Sequence, residues 1–228
     1  MGDEVLVVFD AEDGAATRAQ ADASYKANRT EADHSPIQAL APLKQILDLA
    51  GVRWLETTGT EGDDVLATIA MRASAAGRPV VVLSGDRDLY SLLADPGVRI
   101  LNPQAPPERQ FITADTVLER YGVSADQWAD FRALTGDPAD NLPGVPGIGP
   151  VTAARLLAGG RRLEDLPLTT PGRLAKPLAR TRACWDDVMR WRSLHRLNIA
   201  LTCPNLLTGT ATDELPAPAA LMKGAGLW

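Results

Sequence analysis

Pro79-Val80-Val81-Val82-Leu83-Ser84-Gly85-Asp86-Arg87-Asp88 places an apolar run directly before two carboxylates. The run at 79–84 reads as a buried strand, and outward from it the chain alternates strand-like and helix-like blocks, the pattern of an α/β lobe with a mainly parallel sheet. Upstream, residues 62–76 carry Val65, Leu66, Ile69, Ala70 and Ala73 at helical spacing and stop at Gly77. Before them come a short strand at 52–56 and a helix from Ser35-Pro36 to about Ala50, opened by cap-then-N1 chemistry and closed by Gly51. Val5 to Asp10 reads as a strand ending in a carboxylate. Downstream, 86–94 reads as a short helix and 98–101 as a strand. From Thr113 onward the pattern becomes helical, broken by a Gly/Pro-rich segment at 136–150. The stretch beyond 208 has little periodicity and is expected to be a flexible tail.

Acidic residues gather where the strands should end: Asp10 after the first, Glu61, Asp63 and Asp64 after the second, Asp86 and Asp88 after the third. Parallel strands bring such ends to one edge, where open α/β sheets hold ligands. Carboxylates crowded there repel one another unless cations neutralise them. Oxygen donors without nearby His or Cys point to Mg²⁺ or Mn²⁺, and so to phosphate-ester chemistry. Taken singly, Asp63 and Asp64 could be first-turn helix acids, Asp86 and Asp88 helix caps, and Asp10 a turn residue. Three groups in register outweigh those readings.

The most specific stretch is Gly136-Asp137-Pro138-Ala139-Asp140-Asn141-Leu142-Pro143-Gly144-Val145-Pro146-Gly147-Ile148-Gly149-Pro150, followed by a helix at 151–158. Gly147 and Gly149 would let backbone approach a partner, Pro150 suits N1, and the helix start would offer amides to a phosphate. The glycine spacing is not that of a dinucleotide fingerprint, and no Gly-Lys-Ser/Thr of a P-loop is present.

The 228-residue chain holds 23 basic and 29 acidic residues, a net charge of −6, which by itself disfavours a phosphate partner. The distribution disagrees, because residues 150–200 contain ten basic and four acidic side chains. No apolar run approaches the ~18 residues of a membrane span. The acidic start, Met1-Gly2-Asp3-Glu4, is unlike a secretory leader, so a cytoplasmic location is expected. Cys184 and Cys203 fit reduced thiols, and with only His34 and His195 present, histidine-dependent chemistry has little to work with.

Val8-Phe9-Asp10-Ala11, Tyr25-Lys26-Ala27-Asn28-Arg29, Gly59-Thr60-Glu61-Gly62-Asp63-Asp64, Ser84-Gly85-Asp86-Arg87-Asp88 and the 136–150 stretch, in this order, closely resemble the bacterial 5′–3′ exonuclease and flap endonuclease family, which includes the N-terminal nuclease domain of DNA polymerase I. The resemblance implies a PIN-like α/β nuclease lobe at 1–112, a helical lobe with a helix-three-turn-helix at 113–207 and a tail at 208–228. By matching position it makes Asp10, Glu61, Asp63, Asp64, Asp86, Asp88, Asp137 and Asp140 metal-site carboxylates for two divalent ions. It implies a K⁺ ion at the hairpin carbonyls. It puts Lys26 and Arg29 at the scissile phosphate with Arg18 as a further catalytic cation, and Gly144, Val145, Gly147, Ile148, Gly149, Thr152 and Arg155 against DNA. The expected partner is a 5′-flap, nicked or branched duplex in replication or repair, with no membrane role. Setting the eight acids against metal leaves a mildly basic remainder, so the negative total is no obstacle to DNA.

Two departures qualify the resemblance. Family members normally begin some fifty residues earlier with a strand ending in a metal-binding Asp, so one carboxylate and a central strand are expected to be missing, at a cost in stability. Where the family commonly has Lys after the hairpin's last glycine, this chain has Pro150-Val151-Thr152. The alternative reading is therefore a catalytically weak or inactive protein that still binds branched duplex. A PIN-type ribonuclease would share the acids but not need the hairpin.

Overall fold

The computed structural model describes residues 3–28, 35–204 and 207–226, with the side chains of 35–38 set aside. Strand β1 (Leu6–Phe9) leads into a short helix α1 (Ala16–Ala21), and α2 (Ser35–Leu49) precedes β2 (Arg53–Glu56). Helix α3 (Gly62–Ala75) follows, then β3 (Val80–Leu83), a 3₁₀ turn at Asp88–Ala94, β4 (Val98–Leu101) and β5 (Phe111–Ile112). The helical part comprises α4 (Ala114–Tyr121), α5 (Trp128–Thr135), α6 (Pro150–Leu156), α7 (Ala175–Ala183), α8 (Trp185–His195) and α9 (Pro218–Gly224). No described helix is long and apolar enough to cross a membrane.

The strands divide into two sheets. β1 pairs in parallel with β2, Leu6 opposite Arg53. β3 pairs in parallel with β4, Val80 opposite Val98, and β5 adds an antiparallel edge. Among the described residues no ladder joins the sheets; α3 packs against both β1 and β3 and bridges them. The expectation that 79–84 is buried is corrected: Val82 lies in the core, but Val81 is 56% and Leu83 63% exposed. The pleat sends alternate residues to opposite faces, and only the face toward α3 and the following turn is covered.

Helix α3 forms as its spacing requires, burying Val65, Ile69, Ala70 and Ala73 and keeping Asp63 and Asp64 in the first turn, where the helix dipole favours them. Thr113 caps α4 reciprocally with Thr116, and Gly122 in the left-handed region ends it. α5 is buried on nearly every side: Trp128 stacks on Phe131 at 5.3 Å and meets Tyr121 edge-on at 4.9 Å. The main core runs without a break from Val82, Leu89, Ile100 and Ile112 into Trp128, Leu134, Leu178 and Val188.

The tail expected to be loose is tied down. Thr212 donates its backbone N–H to the Asp3 carbonyl at 2.9 Å, Thr208 and Gly209 donate theirs to the Glu4 carboxylate at 2.8 and 3.1 Å, and α9 rests on α2. Leu201, Cys203 and Leu207 pack on Leu55, Val65 and Ile69, and Arg72 donates to the carbonyl oxygens of Leu201 and Cys203. Periodicity does not register such a strap, because its apolar contacts are irregularly spaced.

Candidate metal centre and nucleic-acid interface

Asp10 leaves β1 and accepts the Gly62 N–H through Oδ1 at 2.5 Å. A Cβ at Gly62 would stand 3.0 Å from that oxygen and 3.2 Å from the Asp10 nitrogen, so glycine lets α3 start against the end of β1. Glu61, 6% exposed, receives the Tyr25 hydroxyl at 3.2 Å and ion pairs from Arg18 and Lys26. Arg18 also reaches Asp64 at 2.8 Å, and Asp64 accepts the Asn198 N–H at 2.9 Å from the strap. Asp63 turns the other way. Burial, with the negative charges of Asp86, Asp10 and Asp88 added, pushes its carboxyl from 3.8 up to about 7, against a smaller opposing effect of Lys26. Asp86 is raised chiefly by burial, although it accepts the Asp88 N–H at 2.8 Å.

Asp88 faces the helical lobe. Its Oδ1 lies 3.2 Å from Arg132 Nε on α5 and its Oδ2 3.1 Å from His195 Nδ1 on α8. Burial works against its charge, but these two partners outweigh burial and hold Asp88 below the ordinary carboxylate value. Arg132 also pairs with Asp137. Asp137 and Leu142 exchange both backbone hydrogen bonds, at 2.7 and 2.8 Å, closing a tight loop that carries Asp140. The loop is docked on the 24–28 segment: Lys26 N–H donates to the Asp140 carbonyl at 2.9 Å, Asn141 Nδ2 to Ser24 O at 2.8 Å, and Asn28 Nδ2 to Pro138 O at 3.2 Å. Lys26 and Asn141 both sit in the left-handed region, φ 54° and 58°. Each such non-glycine residue costs on the order of 1 kcal/mol, which the paired segments must offset.

One oxygen each from Asp88, Asp137 and Asp140 lies within 4.8 Å of the others. Three hard oxygen donors at this spacing, beside an Asp63 that burial and its neighbours' charge drive toward protonation, fit a divalent cation. The eight acids therefore fall into groups. Asp88, Asp137 and Asp140 converge, buried Asp63 faces the charges of Asp86 and Asp10, Glu61 is engaged by Arg18 and Lys26, and Asp64 by Arg18. Arg29 lies outside the described residues. Arg132 and His195 were not singled out from the sequence. A cation inside the apolar helix at 128–135 was the available signal for Arg132, whereas nothing local links His195 to Asp88, 107 residues away.

The hairpin separates support from surface. Val145 and Ile148 are 2% and 4% exposed and Gly144 is buried, so these three hold the turn and do not present side chains outward. Gly144 has φ 65°, and a Cβ there would lie 2.6 Å from the Thr135 carbonyl carbon. Gly147, Gly149 and Arg155 are exposed and Thr152 half-buried. The amide supply at the start of α6 is smaller than expected: Pro150 has no N–H, and those of Thr152 and Ala153 donate to the Gly149 carbonyl. Arg180 Nη1 donates to the Pro146 carbonyl at 3.3 Å. The basic 150–200 segment is likewise partly internal. Arg182 and Arg192 are spent on Leu166 O and Asp130 and the exposed Arg190 on Asp22, while Arg155, Arg161, Arg173, Lys176 and Arg180 are also exposed.

Residues 2–122 match the model of the 5′–3′ exonuclease N-terminal resolvase-like domain, and 123–216 that of the 5′–3′ exonuclease C-terminal SAM fold. Thermostable DNA polymerase I of Thermus thermophilus is 46% identical over 165 residues, 72% of this chain and 19% of that protein. DNA polymerase I of Mycobacterium tuberculosis is 40% identical over 143 residues, 62% of this chain and 16% of the relative. The chain thus spans about a fifth of the length of these curated relatives. Among solved structures, the T5 5′-exonuclease with bound divalent metal ions aligns with a TM-score of 0.67 at 24% identity, over 85% of this chain and 73% of its own. The catalytic core of Rad2 in complex with DNA substrate aligns with a TM-score of 0.59 at 14% identity, over 99% of this chain and 74% of its own. Both share the fold: a resolvase-like, PIN-type domain joined to a helical SAM-fold domain.

Proposed function

Because this chain belongs to the 5′–3′ exonuclease family, we propose that it is a structure-specific 5′–3′ exonuclease and flap endonuclease that hydrolyses DNA phosphodiesters in replication or repair. The observation that carries this reading is the convergence of Asp88, Asp137 and Asp140 beside the proton-attracting Asp63. In this proposal Asp10, Glu61, Asp63, Asp64, Asp86, Asp88, Asp137 and Asp140 hold two divalent ions, Mg²⁺ or Mn²⁺. Such ions, when bound, polarise a phosphoryl oxygen and make water a stronger nucleophile at neutral pH. Arg18 and Lys26, now on Glu61, are cations that can turn toward a phosphate once the acids are neutralised otherwise; Arg29 joins them.

DNA is gripped, on this reading, through exposed Gly147, Gly149, Thr152 and Arg155 and the cations of α7, contacts that hold phosphate without reading bases. Gly144, Val145 and Ile148 support that surface from beneath. A K⁺ ion at the hairpin would share the Pro146 carbonyl with Arg180. A cytoplasmic location is part of the same proposal.

The competing reading, a DNA-binding protein with little turnover, is favoured by the pairing of Glu61 with both Arg18 and Lys26. Cleavage of a 5′-flap duplex with Mg²⁺, Mn²⁺ or EDTA, beside the Asp63→Asn/Asp64→Asn double variant, separates the two. Metal-dependent cutting lost in the variant supports the nuclease. Salt-sensitive flap binding without cutting supports the binding protein, and preference for single-stranded RNA would favour a ribonuclease.

A further inference from the structure

We propose that His195 is a positioning residue for the Asp88 carboxylate, through which the helical lobe sets the geometry of the metal centre. The inference rests on reading Asp88 as one of the acids that hold a cation. His195 ends α8 and is 1% exposed. Its Nδ1 lies 3.1 Å from Asp88 Oδ2, and since a carboxylate can only accept, the ring donates through Nδ1–H. On the far side of the ring, Nε2 is buried without a hydrogen-bond partner in the described structure. The ring's one polar tie is therefore Asp88, and an apolar side chain would have filled the site without leaving a buried nitrogen unsatisfied.

Arg132 approaches the other oxygen, so Asp88 sits in a fork whose tines come from two helices packed against each other, α5 and α8. The fork blocks rotation of the carboxyl group while leaving each oxygen a second lone-pair direction. An oxygen so fixed lies within 4.8 Å of those of Asp137 and Asp140. The tines are not equivalent. Arg132 also engages Asp137 and the Gly136 carbonyl, so it draws two acids together, whereas His195 acts on Asp88 alone. Without His195, Asp88 is free to swing onto Arg132 and its orientation toward the other two acids is lost. Hydrogen bonds behind a metal-holding group commonly affect metal affinity or activity by about 10–100-fold.

The test measures Mn²⁺ binding to the full chain by the electron-spin signal of free Mn²⁺, with flap cleavage as a second readout. His195→Gln should weaken Mn²⁺ binding by about tenfold or more and lower kcat with little change in KM for DNA. His195→Asn, whose amide can stand where Nδ1 stands, should restore binding to within about threefold of the parent chain. Because both variants are buried amides, a difference between them is not a general effect of disturbing α8. Equal Mn²⁺ affinity in the parent chain and the Gln variant, or equal loss in Gln and Asn, overturns the proposal. A parent chain whose Mn²⁺ binding is unchanged by Asp88→Asn would instead remove the premise about the centre itself.

Discussion

Replacing Asp63 with Asn should make the metal-free protein more stable at alkaline pH, the reverse of the usual result of altering a half-buried polar residue. The folded protein holds the Asp63 proton up to about pH 7, whereas the unfolded chain releases it near 3.8. Between those values the folded state binds more protons, so stability falls as pH rises through the window and is level above it. Three pKa units at about 1.4 kcal/mol each set a ceiling of about 4 kcal/mol. Partial exposure to water reduces that to about 2 kcal/mol. In a chain of this length 1 kcal/mol is worth about 2–4 °C, so Asn should raise Tm by about 4–8 °C at pH 8.5 in EDTA and by little at pH 4.5. Asp86 and Asp88 are present in both proteins, so the difference between them reports the Asp63 charge together with its coupling to those neighbours. Urea and thermal unfolding from pH 4.5 to 8.5 in EDTA measure it. Added Mg²⁺ or Mn²⁺ should stabilise the parent chain more than the variant and reverse their order. A variant no more stable than its parent at pH 8.5 in EDTA would refute the claim that burial and the neighbouring carboxylates make an ionised Asp63 costly in the bare protein.

Arg132→Met should cost about 3 kcal/mol in EDTA, because it leaves Asp88 and Asp137 without their shared cation, and divalent ions should recover part of the loss; urea midpoints with and without Mg²⁺ check both. Gly144→Ala should cost more than about 2 kcal/mol, since a Cβ would meet backbone at a positive φ, and a lowered Tm is the readout. Gly149→Ala meets nothing within 4 Å, so it should leave Tm nearly unchanged while weakening flap binding in a fluorescence titration. For Glu4, burial opposes the charge, but backbone donors Thr208 and Gly209 with Arg78 and Arg53 bring it down to about 2. Glu4→Gln should therefore cost about 1–2 kcal/mol at pH 7 after allowing for solvent screening, the difference shrinking as pH falls from 4.5 toward 2, and proteolysis of the strap should accelerate.

Much of the fold was legible in local pattern. The periodicity at 62–76, the apolar blocks ending at Phe9 and Leu83 and the helical start at Thr113 each depend on a few neighbouring residues, and backbone hydrogen bonding follows them. The outer face of β3 was misjudged because an apolar run does not say how many of its faces are covered. The strap was missed because it is held by single long-range contacts, such as those to Arg72, Thr68 and Glu4.

At the candidate site, residue type and position beside strand ends were enough to nominate six acids, since carboxylates placed together after short apolar strands are costly without a counter-charge; Asp137 and Asp140 came only from the resemblance of the 136–150 stretch. Their different states were not in the sequence. Glu61 is neutralised by Arg18 and Lys26, Asp88 is fixed by side chains 44 and 107 positions away, and Asp63 is buried against other carboxylates. The sequence by itself determined which chemistry this chain can carry, because that depends on which side chains are present and on the short-range order that gathers them. Only the tertiary structure decided which carboxylates converge and which are already paired, because a charge's partners and its exposure to water are set by segments that meet only when the two lobes pack on one core.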